Sequence, residues 1–271
     1  MAKKDPTKTP SSARGTRPAA KPKVRAASKP PVKGSKSAEK KATASKKPAT
    51  ALPVDARLEN ALTWLRAHSS KAVRDGMSRY AIPSDHALGV AMRDIKALGM
   101  SLGRDHELAL ALWKTGYYEA RTLTAFVADP DELTAEQMDL WVRDFDNWAY
   151  CDTLSFHLFD RTPHAWKKVD AWSRRKPEFE KRTAFALLWS LALHDKRATD
   201  AQFATGLRVI EAGASDDRNF VKKAVSMALR AIGRRRSLRD ATVKLAEKLS
   251  KSKDPGAQWV GKDALRELKK R

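Results

Sequence analysis

The sequence predicts an all-α protein made of stacked helix pairs, and three observations carry that expectation. From about Ala51 onward, leucine, alanine and tryptophan recur at three- and four-residue spacing, the pattern of one buried helix face. No segment alternates polar and apolar residues as a half-buried strand would. Breaks recur at Ser101–Gly103, Asp129–Pro130, Arg161–Pro163, Arg197–Asp200, Gly213–Asp217 and Asp254–Gly256. Between them lie segments of roughly ten to nineteen residues, which fit antiparallel helix pairs repeating about every 35 to 40 residues.

Taken in order, the elements begin with a stripe at Leu58, Leu62 and Leu65. Thr134 to Gln137 has the spacing of a capping box, in which hydroxyl and amide satisfy each other's backbone N–H at a helix start. Thr162 followed by Pro163 predicts a cap with proline in the first turn, and Thr199–Asp200 and Ser215–Asp217 offer further caps. The period belongs to helical solenoids, and the strict repeat of a tetratricopeptide or ankyrin array is missing. The expectation is therefore an irregular, curved solenoid of the HEAT type over residues 51–271, with a basic concave surface. A globular helical bundle is the alternative.

Charge divides the chain in two. Its 271 residues carry a formal net charge of +22, and residues 1–50 hold 15 Lys or Arg against Asp5 and Glu39 alone. That Lys-, Pro- and Ala-rich segment has no aromatic residue and cannot bury enough apolar surface to offset the entropy of ordering, so a disordered tail is expected. Such a tail either holds a polyanion by counterion release or serves as a solvated extension. No long apolar span or signal-like start is present, which leads to the expectation of a soluble intracellular protein without membrane contact. Cys151 is the only cysteine, so no internal disulfide forms, and with no activating base nearby it reads as a small buried residue. The six histidines show no metal-ligand spacing, and phosphate-cradling glycine loops are absent, so neither metal nor cofactor is expected.

The most informative residues are Trp148, Asp152 and Arg182. Trp148 and Asp152 stand four apart, so on a helix both project from one face. An indole, a carboxylate and a guanidinium converging on one surface could hold a damaged nucleotide; alternatively, Trp148 is core and Asp152 a cap or a lysine's partner. Basic clusters in the second half, including Lys181, Lys222, Lys223, Arg230, Arg234 and Arg235, lie near predicted helix ends. Helix N-termini add amides and partial positive charge for phosphate oxygens, and several such clusters favour nucleic acid over solvated faces.

The stretch from Tyr80 to Leu268 resembles the AlkD-like DNA alkylation repair family of HEAT-repeat proteins. Trp148 and Asp152 match its tryptophan and catalytic aspartate, and Arg182, followed by Thr183 and Ala184, matches its active-site arginine. Tyr80, nine residues before Gly89, matches its DNA-contacting tyrosine, while Met227 stands where active members have a second cleft tryptophan. The resemblance implies a glycosylase that removes N3- or N7-alkylated purines from double-stranded DNA without turning the base into a pocket, and so a place on the nucleoid. It implies Asp152, Trp148 and Arg182 as catalytic residues. No lysine nucleophile is identifiable, so a monofunctional enzyme is expected, and a solenoid that clamps DNA is expected to act as a monomer. DNA contacts are expected from Tyr80, Lys181, Lys222, Lys223, Met227, Arg230, Arg234 and Arg235.

Chemistry supports such a trio. Alkylation at these ring nitrogens places a positive charge on the base, so no leaving-group acid is required. A carboxylate can stabilise the oxocarbenium-like sugar and orient water. The indole adds a π face for the cation, and Arg182 would hold a flanking phosphate and keep Asp152 ionised. Competing readings are a HEAT protein that binds DNA without excising a base, a protein-binding helical scaffold, and an RNA-directed module.

Overall fold

The computed structural model describes residues 52–270, and within them every regular element is helical. The basic tail read from residues 1–50 lies outside the described residues. Thirteen α-helices follow one another in this region: α1 (Val54–Ala67), α2 (Lys71–Gly76), α3 (Met92–Leu102), α4 (His106–Lys114), α5 (Tyr118–Val127), α6 (Ala135–Arg143), α7 (Trp148–His157), α8 (Ala165–Ser173), α9 (Glu178–His194), α10 (Asp200–Gly213), α11 (Asn219–Ile232), α12 (Arg239–Ser250) and α13 (Pro255–Leu268).

Alternate helices pack into one row, α3 on α5, then α7, α9, α11 and α13 in turn. A second layer backs that row, with α4 on α5, α8 on α9, α10 on α11 and α12 on α13. This is the pairwise arrangement that the break spacing predicts, and it makes a HEAT-like repeat rather than a bundle around one centre. Fully buried Phe159, Trp172, Phe185 and Phe203 fill the space between layers, each contributing about 1.5–3 kcal/mol through burial.

Local signals explain most helix starts. Thr134 and Thr199 form complete capping boxes with Gln137 and Gln202, and Asp254 caps α13 with proline at the first position. Two expected caps differ. Thr162 is buried and donates to the Phe159 carbonyl, and α8 starts later, at Ala165. Asp216 accepts from the Arg218 backbone just before α11 but also takes the Arg218 and Lys181 side chains, so ion pairing captured this carboxylate. The sequence also gives too few breaks: the chain turns at Asp144–Asn147 and Arg174–Pro177, splitting α6 from α7 and α8 from α9.

One buried carboxylate organises the segment before α3. Glu119 is wholly buried and accepts from the backbone N–H groups of Leu88, Gly89 and Val90 at 2.8, 2.7 and 3.2 Å. Gly89 sits at φ +85, where a β-carbon would collide with the Ser70 carbonyl oxygen, so no side chain fits.

Candidate active site

The row of parallel helices brings the first turns of α7, α9 and α11 side by side. Asn147 caps α7, its buried side chain accepting from the N–H groups of Ala149 and Tyr150. The helix therefore begins at Trp148, and Asp152 follows one turn later. Cys151 donates to the Phe179 carbonyl at the start of α9, tying the two helix starts together. Arg182, in the second turn of α9, reaches in both directions: Nη2 lies 2.8 Å from each Asp152 oxygen, and Nη1 lies 2.6 Å from the Phe220 carbonyl of α11. Its guanidinium carbon stands 6.0 Å from the centre of the Trp148 ring.

Trp148 is fixed from the far side as well. Its Nε1 donates to the Tyr80 carbonyl at 2.7 Å. Ala81, next in sequence, has the left-handed φ of 53 that ends this short helical turn, while the Tyr80 side chain is 66% exposed. The indole, carboxylate and guanidinium thus meet at one place.

Electrostatics separates the two charges of the pair. Arg182 is buried at 3% side-chain exposure, and Asp152 keeps 20%, so the carboxylate is the member open to a ligand. Burial pushes the Asp152 carboxyl above the ordinary carboxylate range, and the attraction and hydrogen bonds of Arg182 offset only part of that rise. The guanidinium donates to the carboxylate and to a carbonyl, and its Nε is sealed without a partner among the described residues. The geometry thus commits Arg182 to Asp152 rather than to a phosphate in solvent.

The basic residues named from sequence divide by position. Lys181 lies beside Arg182 but pairs with Asp216 at 2.9 Å. Lys222 ends the first turn of α11 and Lys223 begins the second; Lys222 stands 5.4 Å from the Trp259 ring centre and Lys223 is exposed. Met227 is half-buried, seven residues beyond Phe220 on the same helix. Arg230, Arg234 and Arg235 lie at the other end of α11, ~15 Å or more along the axis from Phe220. Arg230 and Arg234 pair with Glu267, and Arg235 pairs with Asp200 and covers the Phe203 ring at 4.4 Å. The structure does not bring these three arginines to the trio.

Trp141 is a packing residue. It stacks on Trp113 at 4.7 Å, and Asp144 takes Trp113 Nε1 and Arg121. Cys151 is fully buried, and burial pushes its thiol up to about 12. Sequence reasoning missed the carbonyls of Tyr80 and Phe220 and the carboxylate of Glu119. Of these only Glu119 left a trace, as an acid within the apolar face of α5.

Stacked helix pairs, here with a partly open carboxylate at the junction of three helix starts, define a HEAT-like repeat protein. Residues 61–268 match the DNA alkylation repair enzyme family, and the chain belongs to that family. No curated protein matches the chain. Solved structures share the fold, these two among them. One, described as a new family of proteins related to the HEAT-like repeat DNA glycosylases with affinity for branched DNA structures, aligns with a TM-score of 0.64 at 16% identity, over 78% of this chain and 95% of that one. The other, AlkD2 from Streptococcus mutans, aligns with a TM-score of 0.52 at 18% identity, over 79% of this chain and 98% of that one. Among the described residues no helix is long and apolar enough to cross a membrane.

Proposed function

We propose that this chain is a monofunctional DNA glycosylase that excises cationic N3- or N7-alkylated purines from duplex DNA, with Asp152 as its catalytic carboxylate. The observation that carries this reading is Asp152 itself: partly open, held by a buried guanidinium and flanked by an indole. As the C1′–N bond breaks, its electron pair neutralises the charged base. Positive charge then develops on the sugar, where the Asp152 carboxylate faces it in a site poor in water. Water adds to C1′ and gives its proton to Asp152, which returns it to solvent.

Trp148 offers its π face to the cationic sugar or base, worth ~1–2 kcal/mol when desolvated. Arg182 acts as a positioning residue, fixing the carboxylate through Nη2 and the neighbouring helix through Nη1. Phosphates near the lesion are met by the helix starts of α7, α9 and α11 together with Lys222 and Lys223, through amides and positive charge. The chain acts as a monomer, and residues 1–50 add a salt-sensitive hold on DNA.

A second reading, binding of branched DNA without base release, is favoured by Met227 at the second tryptophan's place and by the affinity ascribed to the first structural relative. Incubating purified protein with methylated duplex and weighing released bases by mass spectrometry separates the two. Release of 7-methylguanine by wild type and not by Asp152→Asn, with duplex binding retained, is expected. Equal release by both proteins rejects Asp152, and no release by wild type favours the binding protein. A covalent adduct trapped with borohydride would overturn the monofunctional assignment.

A further inference from the structure

We propose that a cavity at the carboxyl-terminal ends of α5, α7 and α9 is a second binding site, one that takes a phosphate group. The cavity measures about 400 Å³ and is lined by Lys96, Arg104, His157, Arg161 and His194 among its polar residues. No carboxylate lines it. Among the described residues Lys96 has no acid within ion-pair distance, and Arg104 donates to the Ala128 carbonyl rather than to a carboxylate.

Two acids lie nearby. Asp160 is nearly sealed at 1% side-chain exposure and already accepts from Ser190 at 2.5 Å and His194 at 2.6 Å, with Arg161 Nε 4.0 Å from its other oxygen. Asp129 acts on Arg104 from the adjoining loop. These acids and the partial negative charge at the three helix ends oppose the charge of Lys96, Arg104 and Arg161, while the cations also repel one another. Burial and then the charge of Arg161 hold Arg104 below its ordinary range, and burial and then Lys96 and Arg161 do the same to His157. A bound dianion relieves that repulsion, and planar guanidinium and imidazole donors suit phosphate oxygens.

Position gives the site its meaning. The side chains of α7 that are not buried are Trp148, Asp152, Thr153, Phe156 and His157, a single stripe along the helix. His157 lies ~7 Å beyond Asp152 along the axis and ~140° round it, toward the opposite edge of that exposed half. A duplex held at Asp152 would pass its backbone over this cavity. That link rests on the proposed duplex binding, whereas the phosphate site itself does not.

The test uses the full chain with inorganic phosphate as probe. Side-chain NMR signals of His157 are followed as phosphate replaces chloride at constant ionic strength. A saturating shift is expected, weakened about tenfold or more in the double variant Lys96→Gln with Arg161→Gln. The control pair Lys244→Gln with Lys251→Gln, exposed on and just after α12, should leave it unchanged. Absence of saturation, or equal weakening by the control pair, overturns the site.

Unmodified duplex is then added as competitor, so the outcome is independent of base excision. Displacement of phosphate, with a salt dependence of duplex binding lower by about one counterion in the cavity variant, identifies a backbone phosphate as occupant. Saturation without displacement overturns the link to DNA and assigns the cavity to a free phosphate compound.

Discussion

The pair formed by Asp152 and Arg182 should couple in stability, and a double-mutant cycle measures that coupling. Arg182→Gln strips the cation from a carboxylate that is four-fifths covered, at a cost of about 3 kcal/mol. With Asp152→Asn already present no carboxylate is stranded, and losing the bond to the Phe220 carbonyl costs about 1 kcal/mol. The expected coupling is therefore about 2 kcal/mol. Two unit charges 4 Å apart attract by ~4 kcal/mol at an effective dielectric near 20, an upper bound that the open fifth of Asp152 reduces. Asp152→Asn alone strands the Arg182 guanidinium, at 3% exposure, and should lower stability by about 3 kcal/mol, although burial, which holds the folded carboxyl above its ordinary 3.8, returns part of that loss. The same linkage sets a pH signature. Wild-type stability should fall as pH rises from the ordinary carboxylate value through the raised folded one, and Asp152→Asn should lack that decline. Urea unfolding of the four proteins by circular dichroism gives these quantities. A coupling below ~0.5 kcal/mol would refute the reasoning.

Further outcomes follow from the same geometry. Trp148→Phe removes the bond to the Tyr80 carbonyl and should lower stability by ~1 kcal/mol while reducing base release more than duplex binding; equal losses in both would argue against a role in the reaction step. Glu119→Gln takes the charge from a buried acceptor of three backbone N–H groups and should cost ~2–4 kcal/mol in thermal unfolding, and a loss under 1 kcal/mol would show that the segment at Leu88 to Val90 holds without it. Cys151, with its thiol pushed up to about 12, should resist a disulfide reagent at neutral pH until the chain unfolds; rapid modification of the native protein would contradict its burial.

The architecture was legible because each pair carries its own punctuation. The capping box at Thr134, the cap at Thr199 and the break at Asp254–Gly256 mark helix boundaries through neighbours in sequence, and three- and four-residue spacing announces the buried faces. Trp148, Asp152 and Arg182 were legible as a set from the resemblance, and their spacing explains only why the first two share a face. What the sequence hides is long-range. Nothing near Arg182 reports that its Nη1 meets a carbonyl 38 residues away, nor does Tyr80 advertise that its backbone, not its ring, meets Trp148. The surface charge misled for the same reason. Arg230, Arg234 and Arg235 look free in sequence because their carboxylate partners, Glu267 and Asp200, come from other helices.

The trio and its anchor come from three successive members of the row: Trp148 and Asp152 from α7, Arg182 from α9 and the Phe220 carbonyl from α11. An array of this kind tolerates growth at either end, since an added pair finds the same sort of neighbour to rest on. Interior growth is another matter. One extra pair inserted between α7 and α9 would leave a protein that stacks as before, yet the guanidinium would stand about 8–10 Å too far from its carboxylate, one interaxial spacing away. The number of units between these helices is thus fixed by chemistry, while the number outside them is free to drift.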